Sequence, residues 1–586
     1  MKKNKSPLVK LLIYIKSYYK LLIPAIILAI IATIFTIIGP TQLKVLTDEI
    51  VGIVRGESID YQVINRVGIF LVIIYSLAYV FNYLQGFIIA TVTQRISYSL
   101  RKDIDDKINV LPLRYFDNTT VGDILSRVSN DVDTLSDTLN RASSHLISGI
   151  ILLVGSTVMM FVINYILALV VIVVSLLGFS IVILIIRRSQ KYFIRKQKEL
   201  GKINGHIEEI YSGHNVIKAY NGEKQSYEKF SKYSDALYTC DYKSQFYSGT
   251  LQPLMTFLGN LSYASVFVVA TILMMNGVDG VSLGTITAFM VYIRLFTQPL
   301  NTIAQATSQL QSASASALRV FEILEEEELS DESHKEKCLL ASDTMGNVVF
   351  DHVQFGYNSD RIIIKDFSLD VKKGQKIAIV GPTGAGKTTL VNLLMRFYEV
   401  NKGHIYIDGI DTSELTRENV HEQFAMVLQD TWLFNGTIRE NLVYNQQNIS
   451  DEEIYKALKA VGLKHFINTL PHKLDTIIDE KMALSNGQKQ QLTIARAMLR
   501  KASLLILDEA TSNVDTKTEK VIQEAMDRLT KDRTSFVIAH RLSTIKNADV
   551  ILVLKDGDIV EKGNHEELIA KNGAYKELYN AQFETN

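Results

Sequence analysis

Lys376-Ile-Ala-Ile-Val380-Gly381-Pro-Thr-Gly-Ala-Gly386-Lys387-Thr-Thr389 decides how the second half of this chain folds. The apolar run 376–380 reads as a buried strand, and residues 390–397 read as a helix. The glycine-rich turn between them has the strand–loop–helix context of a phosphate-binding loop. Its glycines let backbone N–H groups turn inward around an anion, and the helix start adds favourable partial charge. Gly381, Thr383, Gly384, Ala385, Gly386, Lys387, Thr388 and Thr389 are therefore the candidate nucleotide-binding residues. Lys387 is expected to reach the β- and γ-phosphates, and the Thr388 hydroxyl to ligate Mg²⁺.

Downstream, the apolar run 504–507 ends in Asp508-Glu509. Acidic residues at the carboxyl end of a parallel strand point into the crevice where such sheets bind ligands. Asp508 suits the Mg²⁺ shell, directly or through water, and Glu509 suits a general base that polarises the attacking water. Short apolar runs alternate with helical segments over residues 348–586, so this half is expected to be an α/β domain with a largely parallel sheet. Residues 323–347 carry a dense charge run and read as a solvated linker.

The first 322 residues differ in kind. The whole chain has 586 residues, 47% hydrophobic and 21% charged, with 62 basic against 62 acidic side chains. This balance excludes a disordered chain and a charge-driven nucleic-acid binder. Two cysteines, Cys240 and Cys338, cannot build a disulfide framework or a thiolate zinc site. Mean hydropathy is +0.12, an average over two unlike halves. Six apolar runs, at 21–39 (ended by Pro40), 67–92, 145–162, 166–186, 253–275 and 283–303, are each about the 20 residues that a bilayer core needs. Basic residues gather at Lys2, Lys3, Lys5, Lys10, Lys16 and Lys20 and again at Arg187, Arg188, Lys191, Arg195, Lys196 and Lys198, whereas the short turns at 164–165 and 276–282 have none. That bias puts both termini in the cytosol of a plasma membrane, with a bacterial one expected.

The inner connections, 93–144 and 187–251, are long and follow helical spacing. They are expected to extend the spans into the cytosol as helices. Gly122 and Gly213 are expected to interrupt them and allow a short transverse helix at each elbow. The fold expected overall is an all-α membrane domain of six spans (1–322), a linker, and an α/β nucleotide-binding domain (348–586).

With these residues in view, 348–586 resembles the nucleotide-binding domain of ATP-binding cassette (ABC) transporters, and the whole chain resembles a multidrug- or lipid-type exporter half-transporter. Leu484-Ser485-Asn486-Gly487-Gln488 is similar to the family signature. Gln429, in Val-Leu-Gln-Asp, matches the loop whose glutamine touches the metal. Asp515 matches the loop that crosses between paired domains, and His540 matches the switch histidine. Tyr357 stands where the family stacks an aromatic ring on adenine.

The resemblance implies ATP and Mg²⁺ as cofactors, Glu509, His540 and Gln429 as catalytic residues, and Ser485 to Gln488 acting on a partner subunit's nucleotide. It also implies two copies per working unit. A homodimer is favoured over a heterodimer because Glu509 and His540 are both present. Arg114 to Asp123 and Gly213 to Tyr220 resemble the family's coupling segments. Asn486 stands where a glycine is commoner; a positive φ there is expected to be tolerated, as Asn accepts it better than most residues.

The function so implied is ATP-driven export of hydrophobic or amphipathic compounds (drugs, lipids or peptides), with no nucleic-acid partner. A membrane-bound ATPase acting as regulator or assembly factor is the alternative; the six fused spans speak against it. An importer is disfavoured, since importers usually split these parts among separate chains. Arg294, halfway along the last run, is expected to face the bundle interior or a wet cavity on the substrate path. An unpaired Arg at that depth costs about 2.5–3.5 kcal/mol even on lenient scales.

Overall fold

The computed structural model describes residues 7–54, 60–276, 278, 280–358, 361–429, 431–479, 484–508, 516–538 and 545–583. Two compact units result: Met1–Asn109 with Val121–Glu326, and Val110–Thr120 with Glu327–Asn586.

Among its described residues the first unit is built of helices joined by short turns. It comprises α1 (Pro7–Lys16), α2 (Tyr19–Val54), α3 (Tyr61–Val110), α5 (Val121–Ser126), α6 (Val132–Ile163), α7 (Tyr165–Ser212), α8 (His214–Ala219), α9 (Glu223–Met275) and α10 (Leu283–Leu324), while α4 (Leu113–Asn118) belongs to the second unit. Apolar side chains suit lipid, and a helix satisfies its own backbone where no water is available. Among the described residues, five helical stretches are long and apolar enough to cross a membrane: Tyr19–Gly52, Tyr61–Val110, Val121–Ile163, Tyr165–Ser212 and Glu223–Met275. The last expected span falls on α10, which Arg294, Gln298 and Pro299 make less apolar.

Helix ends differ from the sequence expectation in two places. Helix α2 continues through Pro24 and Pro40 to Val54, because a proline in such a helix removes one backbone bond without forcing an end. Gly122 lies inside α5; the first elbow begins instead at Pro112, whose extended backbone (φ −67°, ψ 151°) precedes α4. Gly213 does end α7, and α8 follows it. Helices α3, α7 and α9 have 50, 48 and 53 residues. At 1.5 Å per residue each is roughly 75 Å long, more than twice the thickness of a hydrocarbon core of about 30 Å.

Helix α7 packs along α9, and α6 lies against α10 and α2. Gly178 permits the first contact, since a Cβ there would stand 2.4 Å from Leu258 Cδ1. Phe289, Tyr292 and Ile293 of α10 fill a core with Met160, Leu167, Val171 and Val266. The Tyr292 hydroxyl donates to the Ile37 carbonyl at 2.8 Å, so its polar end is not stranded. Asp48 of α2 accepts from Gly284 N and Ser282 Oγ, both at 2.8 Å, and so caps the start of α10. Lower on α10, Arg319 Nε and Ser316 Oγ donate to buried Asp131 at 2.7 and 2.8 Å.

The second unit is the α/β domain. A six-stranded sheet has the order β12-β11-β3-β10-β9-β6, from β12 (Asp558–Gly563), β11 (Val550–Lys555), β3 (Lys376–Val380), β10 (Thr534–Ile538), β9 (Leu504–Asp508) and β6 (Phe424–Val427). All its neighbours pair parallel except β12, an antiparallel edge. Strands β3, β9 and β10 are buried almost end to end, as a sheet covered on both faces requires. An antiparallel sheet, β2-β1-β4-β5, stands beside it, from β1 (Val348–Phe355), β2 (Ile364–Val371), β4 (Lys402–Ile407) and β5 (Ile410–Asp411). Its aromatic residues Phe350 and Phe367 pack with Ile379, Leu390 and Phe536 of the larger sheet and its first helix.

The charged segment after α10 keeps most of its side chains exposed but is anchored to the second unit at a few points. Glu332 Oε1 lies 2.7 Å from Arg396 Nη2, 2.8 Å from Arg417 Nη1 and 2.9 Å from Lys335 Nζ, and its other oxygen accepts from Arg417 N at 2.6 Å. Farther on, Asn419 and Gln423 donate to the Leu339 carbonyl at 2.9 Å each, and Asp408 caps the N–H groups of Met345, Gly346 and Asn347. A charge run conceals this in the sequence because it says nothing of which carboxylate meets a cation.

Burial pushes the Glu332 carboxyl up, but Lys335, the Arg417 amide and the two guanidinium groups hold it below its ordinary value. Removing it leaves the buried Arg396 only Glu399 and the Leu415 carbonyl, and takes a carboxylate from Arg417 and Lys335 as well, so Glu332→Ala should cost about 3 kcal/mol. In calorimetry of the detergent-solubilised chain, the domain's transition should fall by roughly 6–12 °C. A carboxyl whose folded pKa is depressed stabilises fully above its unfolded pKa and loses that contribution as pH falls through the folded one. The deficit of the variant should therefore shrink below about pH 4.

Candidate nucleotide-binding site

The parallel strands converge at one edge. The glycine-rich loop leaves β3 there, Asp508 ends β9, and Gln429 follows β6. Strand β10 lies between β3 and β9, and its Ile538 is in register with Asp508 on one side and Ile379 on the other. Residues 509–515 and 539–544 are outside the described residues, and with them the candidates Glu509, Asp515 and His540. The register nonetheless sets the residue before Glu509 opposite the one two before His540.

In the loop, Gly381, Gly384 and Gly386 have φ of 154°, 82° and 101°. Gly381 is the clearest requirement: a Cβ there would stand 2.3 Å from the backbone carbonyl oxygen of Leu554, which cannot turn away. The following helix, Lys387–Leu394, is shorter than expected and ends before Arg396, whose φ is +54°. Lys387 Nζ donates to the carbonyls of Gly381 at 2.8 Å and Pro382 at 3.0 Å. Burial pulls its ammonium below the ordinary lysine value, and the Asp508 carboxylate pulls the other way. The loop thus already surrounds a positive charge that an incoming phosphate would share. Thr383 and Thr388 are exposed, whereas Ala385 and Thr389 are buried.

Mg²⁺ fits this donor set. The Thr388 hydroxyl, Asp508 and the exposed Gln429 offer oxygens at the same edge. Among the described residues no group of three His, Cys, Asp or Glu side chains could hold a metal.

Tyr357 follows β1 and is half-buried. Its hydroxyl lies 3.3 Å from Thr389 Oγ1 and 3.5 Å from Asn392 Nδ2, so the loop's helix holds the ring. Phe355 and Tyr398 stand edge-on to it, with centroids at 5.0 and 4.9 Å. Asn392 and Tyr398 had no role in the sequence reading, since neither belongs to a motif; aromatic residues flanking Tyr357 were the available signal.

The signature segment starts a helix, Asn486–Leu499. Ser485 caps it, accepting from Gln488 N at 3.2 Å while its own N–H donates to Gln488 Oε1 at 2.9 Å. Asn486 is the first helical residue and has no positive φ, contrary to the expectation. A right-handed helical position accepts Asn without strain, so the exchange from Gly needs no special tolerance. Gly487 is buried at the same turn.

The first elbow lies in this unit. Asp117 of α4 accepts a hydrogen bond from the Tyr398 hydroxyl, and Arg114 Nη2 donates to Asn358 Oδ1 at 3.3 Å. The second elbow leaves Val216 and Tyr220 exposed. Arg294, on α10, is exposed next to the buried Tyr292 and Ile293 and so faces away from its own unit's core.

A phosphate-loop α/β domain fused to a long-helix membrane unit defines an ATP-binding membrane transporter. Residues 22–300 match the ABC transporter transmembrane region model, and residues 364–512 match the ABC transporter model. A fatty acid ABC transporter ATP-binding/permease protein of Mycobacterium bovis is 43% identical over 90% of this chain and 83% of its own length. An ATP-dependent lipid A-core flippase of Desulfotalea psychrophila is 36% identical over 86% of this chain and 87% of its own. A solved bacterial Atm1-family ABC exporter with ATP bound superposes with a TM-score of 0.73 at 26% identity, covering 96% of this chain and 98% of that one. The chain belongs to the ABC transporter family. It is an exporter-type half-transporter that binds and hydrolyses ATP, sits in a membrane and works as a dimer.

Lys387→Ala removes the buried counter-charge of the loop. ATP affinity, read by equilibrium binding of a fluorescent ATP analogue to the purified protein, should fall at least roughly tenfold.

Proposed function

We propose that two copies of this chain export hydrophobic or amphipathic molecules, with Glu509 as the general base of ATP hydrolysis. The convergence of the β3 loop, the end of β9 and the end of β10 at one edge supports this most directly. Lys387 leaves the Gly381 and Pro382 carbonyls for the phosphates, and Tyr357 offers its ring to adenine. Glu509 takes a proton from the attacking water, and His540 and Gln429 hold water and γ-phosphate in line. Thr388, Asp508 and Gln429 would hold Mg²⁺, which would supply charge neutralisation at the phosphates.

Ser485, Asn486, Gly487 and Gln488 present a helix start to the nucleotide of the partner subunit, and Asp515 matches the family's loop that crosses between paired domains. The two copies are identical in this reading, since one chain holds a full set of catalytic residues. Six spans, the last on α10, carry the chain through a bacterial plasma membrane with both termini and the nucleotide-binding domain in the cytosol.

Fatty-acid and lipid A-core transport among the relatives points to acyl-chain amphiphiles as cargo. Arg294 faces outward from its unit, where a second copy can complete a cavity, and there it attracts an anionic headgroup. An Arg left in lipid at that depth would be too costly.

Glu509→Gln keeps size and hydrogen bonding but removes the basic oxygen. ATPase activity should fall by roughly two to four orders of magnitude with ATP binding retained, and near-wild-type turnover would sink the assignment. Arg294→Ala tests the cavity in proteoliposomes. Transport of oleate should fall relative to that of a cationic dye, with basal ATPase unchanged; equal transport of both would make Arg294 structural.

A further inference from the structure

Tyr398 joins the aromatic cluster beside the phosphate loop to the first elbow. It leaves the chain just beyond the helix that carries Lys387, and it is half-buried between Phe355, at a centroid distance of 5.6 Å, and Tyr357. Its ring stands at 87° to that of Tyr357, edge to face, with centroids 4.9 Å apart. The positive edge of one ring therefore meets the negative face of the other, an arrangement that resists sliding. Its hydroxyl ends on the carboxylate of Asp117, which is exposed on the elbow helix α4.

Arg114, one helical turn earlier, donates at 3.3 Å to Asn358, the residue next to Tyr357. The elbow thus holds the platform from two sides: through the backbone neighbour of Tyr357 and through the ring leaning on it. Burial and the Asp117 carboxylate push the Tyr398 phenol well above the ordinary tyrosine value, so it stays a donor. An O–H donor to an ionised carboxylate is among the stronger hydrogen bonds available at a surface.

Neighbouring residues join the same short segment to the linker. Arg396, two positions before Tyr398, is the buried partner of Glu332. Glu399, the next residue, lies 2.5 Å from Arg417 and 2.9 Å from Arg396. The backbone around Tyr398 is therefore held, and an adenine pressing on Tyr357 finds the Tyr398 ring with little freedom to yield except along its hydroxyl.

We propose, on the reading of Tyr357 as the adenine platform, that Tyr398 is a positioning residue that reports adenine occupancy to the elbow through its hydrogen bond to Asp117. Stacking on Tyr357 fixes the Tyr398 ring, and the fixed hydroxyl in turn orders α4. The bond does not touch the phosphates, so its reciprocal effect on nucleotide affinity is small beside its effect on the order of α4.

Hydrogen exchange on the full chain in lipid nanodiscs tests this with Mg²⁺ and the non-hydrolysable analogue AMP-PNP. In the wild type, AMP-PNP should slow amide exchange both in the phosphate loop, 381–389, and in the elbow, 113–120. Tyr398→Phe keeps the ring contact and loses the hydroxyl. It should keep AMP-PNP affinity within about twofold and keep loop protection, yet lose about fivefold of elbow protection, the scale of one net hydrogen bond. Asp117→Ala, at an exposed position, should give the same loss, and the double variant should lose no more than either single one. A purely structural bond would lower elbow protection equally with and without nucleotide.

Full nucleotide-dependent protection of the elbow in either variant would overturn the proposal. So would a tenfold loss of affinity in Tyr398→Phe, which would make Tyr398 part of the binding platform itself. A wild type whose loop is protected by AMP-PNP while its elbow is not would overturn it too. Protection of neither segment would instead remove the nucleotide reading of the site. Should Tyr398→Phe fail to fold, Asp117→Ala decides the question alone.

Discussion

The ammonium of Lys387, half-buried against the carbonyl oxygens of Gly381 and Pro382, is the interaction on which the chemistry of this chain depends. Burying a cation is costly unless oxygen surrounds it, and three loop glycines with positive φ curl the backbone to supply that oxygen. The loop can hold this form because β3 is buried on both faces and paired on both sides, by β10 and β11. The same pairing fixes the ends of the neighbouring strands, so Asp508 arrives near Lys387 without any local sequence arranging it. A binding site for phosphate is, in this sense, a consequence of parallel sheet geometry.

Polar attachments radiate from that edge. Thr389 and Asn392 tie Tyr357 to the loop's helix, and Tyr398 ties the platform to the first elbow. Glu332 binds the linker to Arg396 and Arg417 within the same few residues of chain. Each is a directional contact on a half-buried surface, where Coulomb attraction is screened less than in open water. The membrane unit is organised differently. Close apolar contacts, such as Gly178 against Leu258, hold its helices, with a few polar staples at Asp48, Asp131 and Tyr292. The two solvents impose these two styles of cohesion.

What could be read beforehand follows the same division. Motifs whose spacing is local were legible: the glycine loop, the strand ending at Asp508, and the Ser485–Gln488 helix start all lie where the pattern put them. Features that depend on which side chain meets which were not. The charge run at 323–347 gave no sign that Glu332 would find three cations, and Tyr398 belongs to no motif. A glycine commoner at position 486 suggests a positive φ there, whereas the capping box of Ser485 and Gln488 dictates a helix. Neither Pro40 nor Gly122 ends a helix: Pro40 costs α2 one backbone bond, and Gly122 sits in the first turn of α5.

By itself the sequence determined the two-part architecture, because bilayer thickness converts directly into a length of apolar residues, and phosphate chemistry converts directly into a glycine pattern. Only the tertiary structure decided that residues 110–120 join the nucleotide-binding unit, that the linker is pinned to it, and that Arg294 turns away from its own core. Those outcomes rest on contacts between residues as far as 281 positions apart in the chain, as for Asp117 and Tyr398. Periodicity and spacing report a residue's neighbours within one or two turns of helix. Which distant carboxylate a tyrosine or an arginine will meet is set by the packing of whole elements, and no local pattern encodes it.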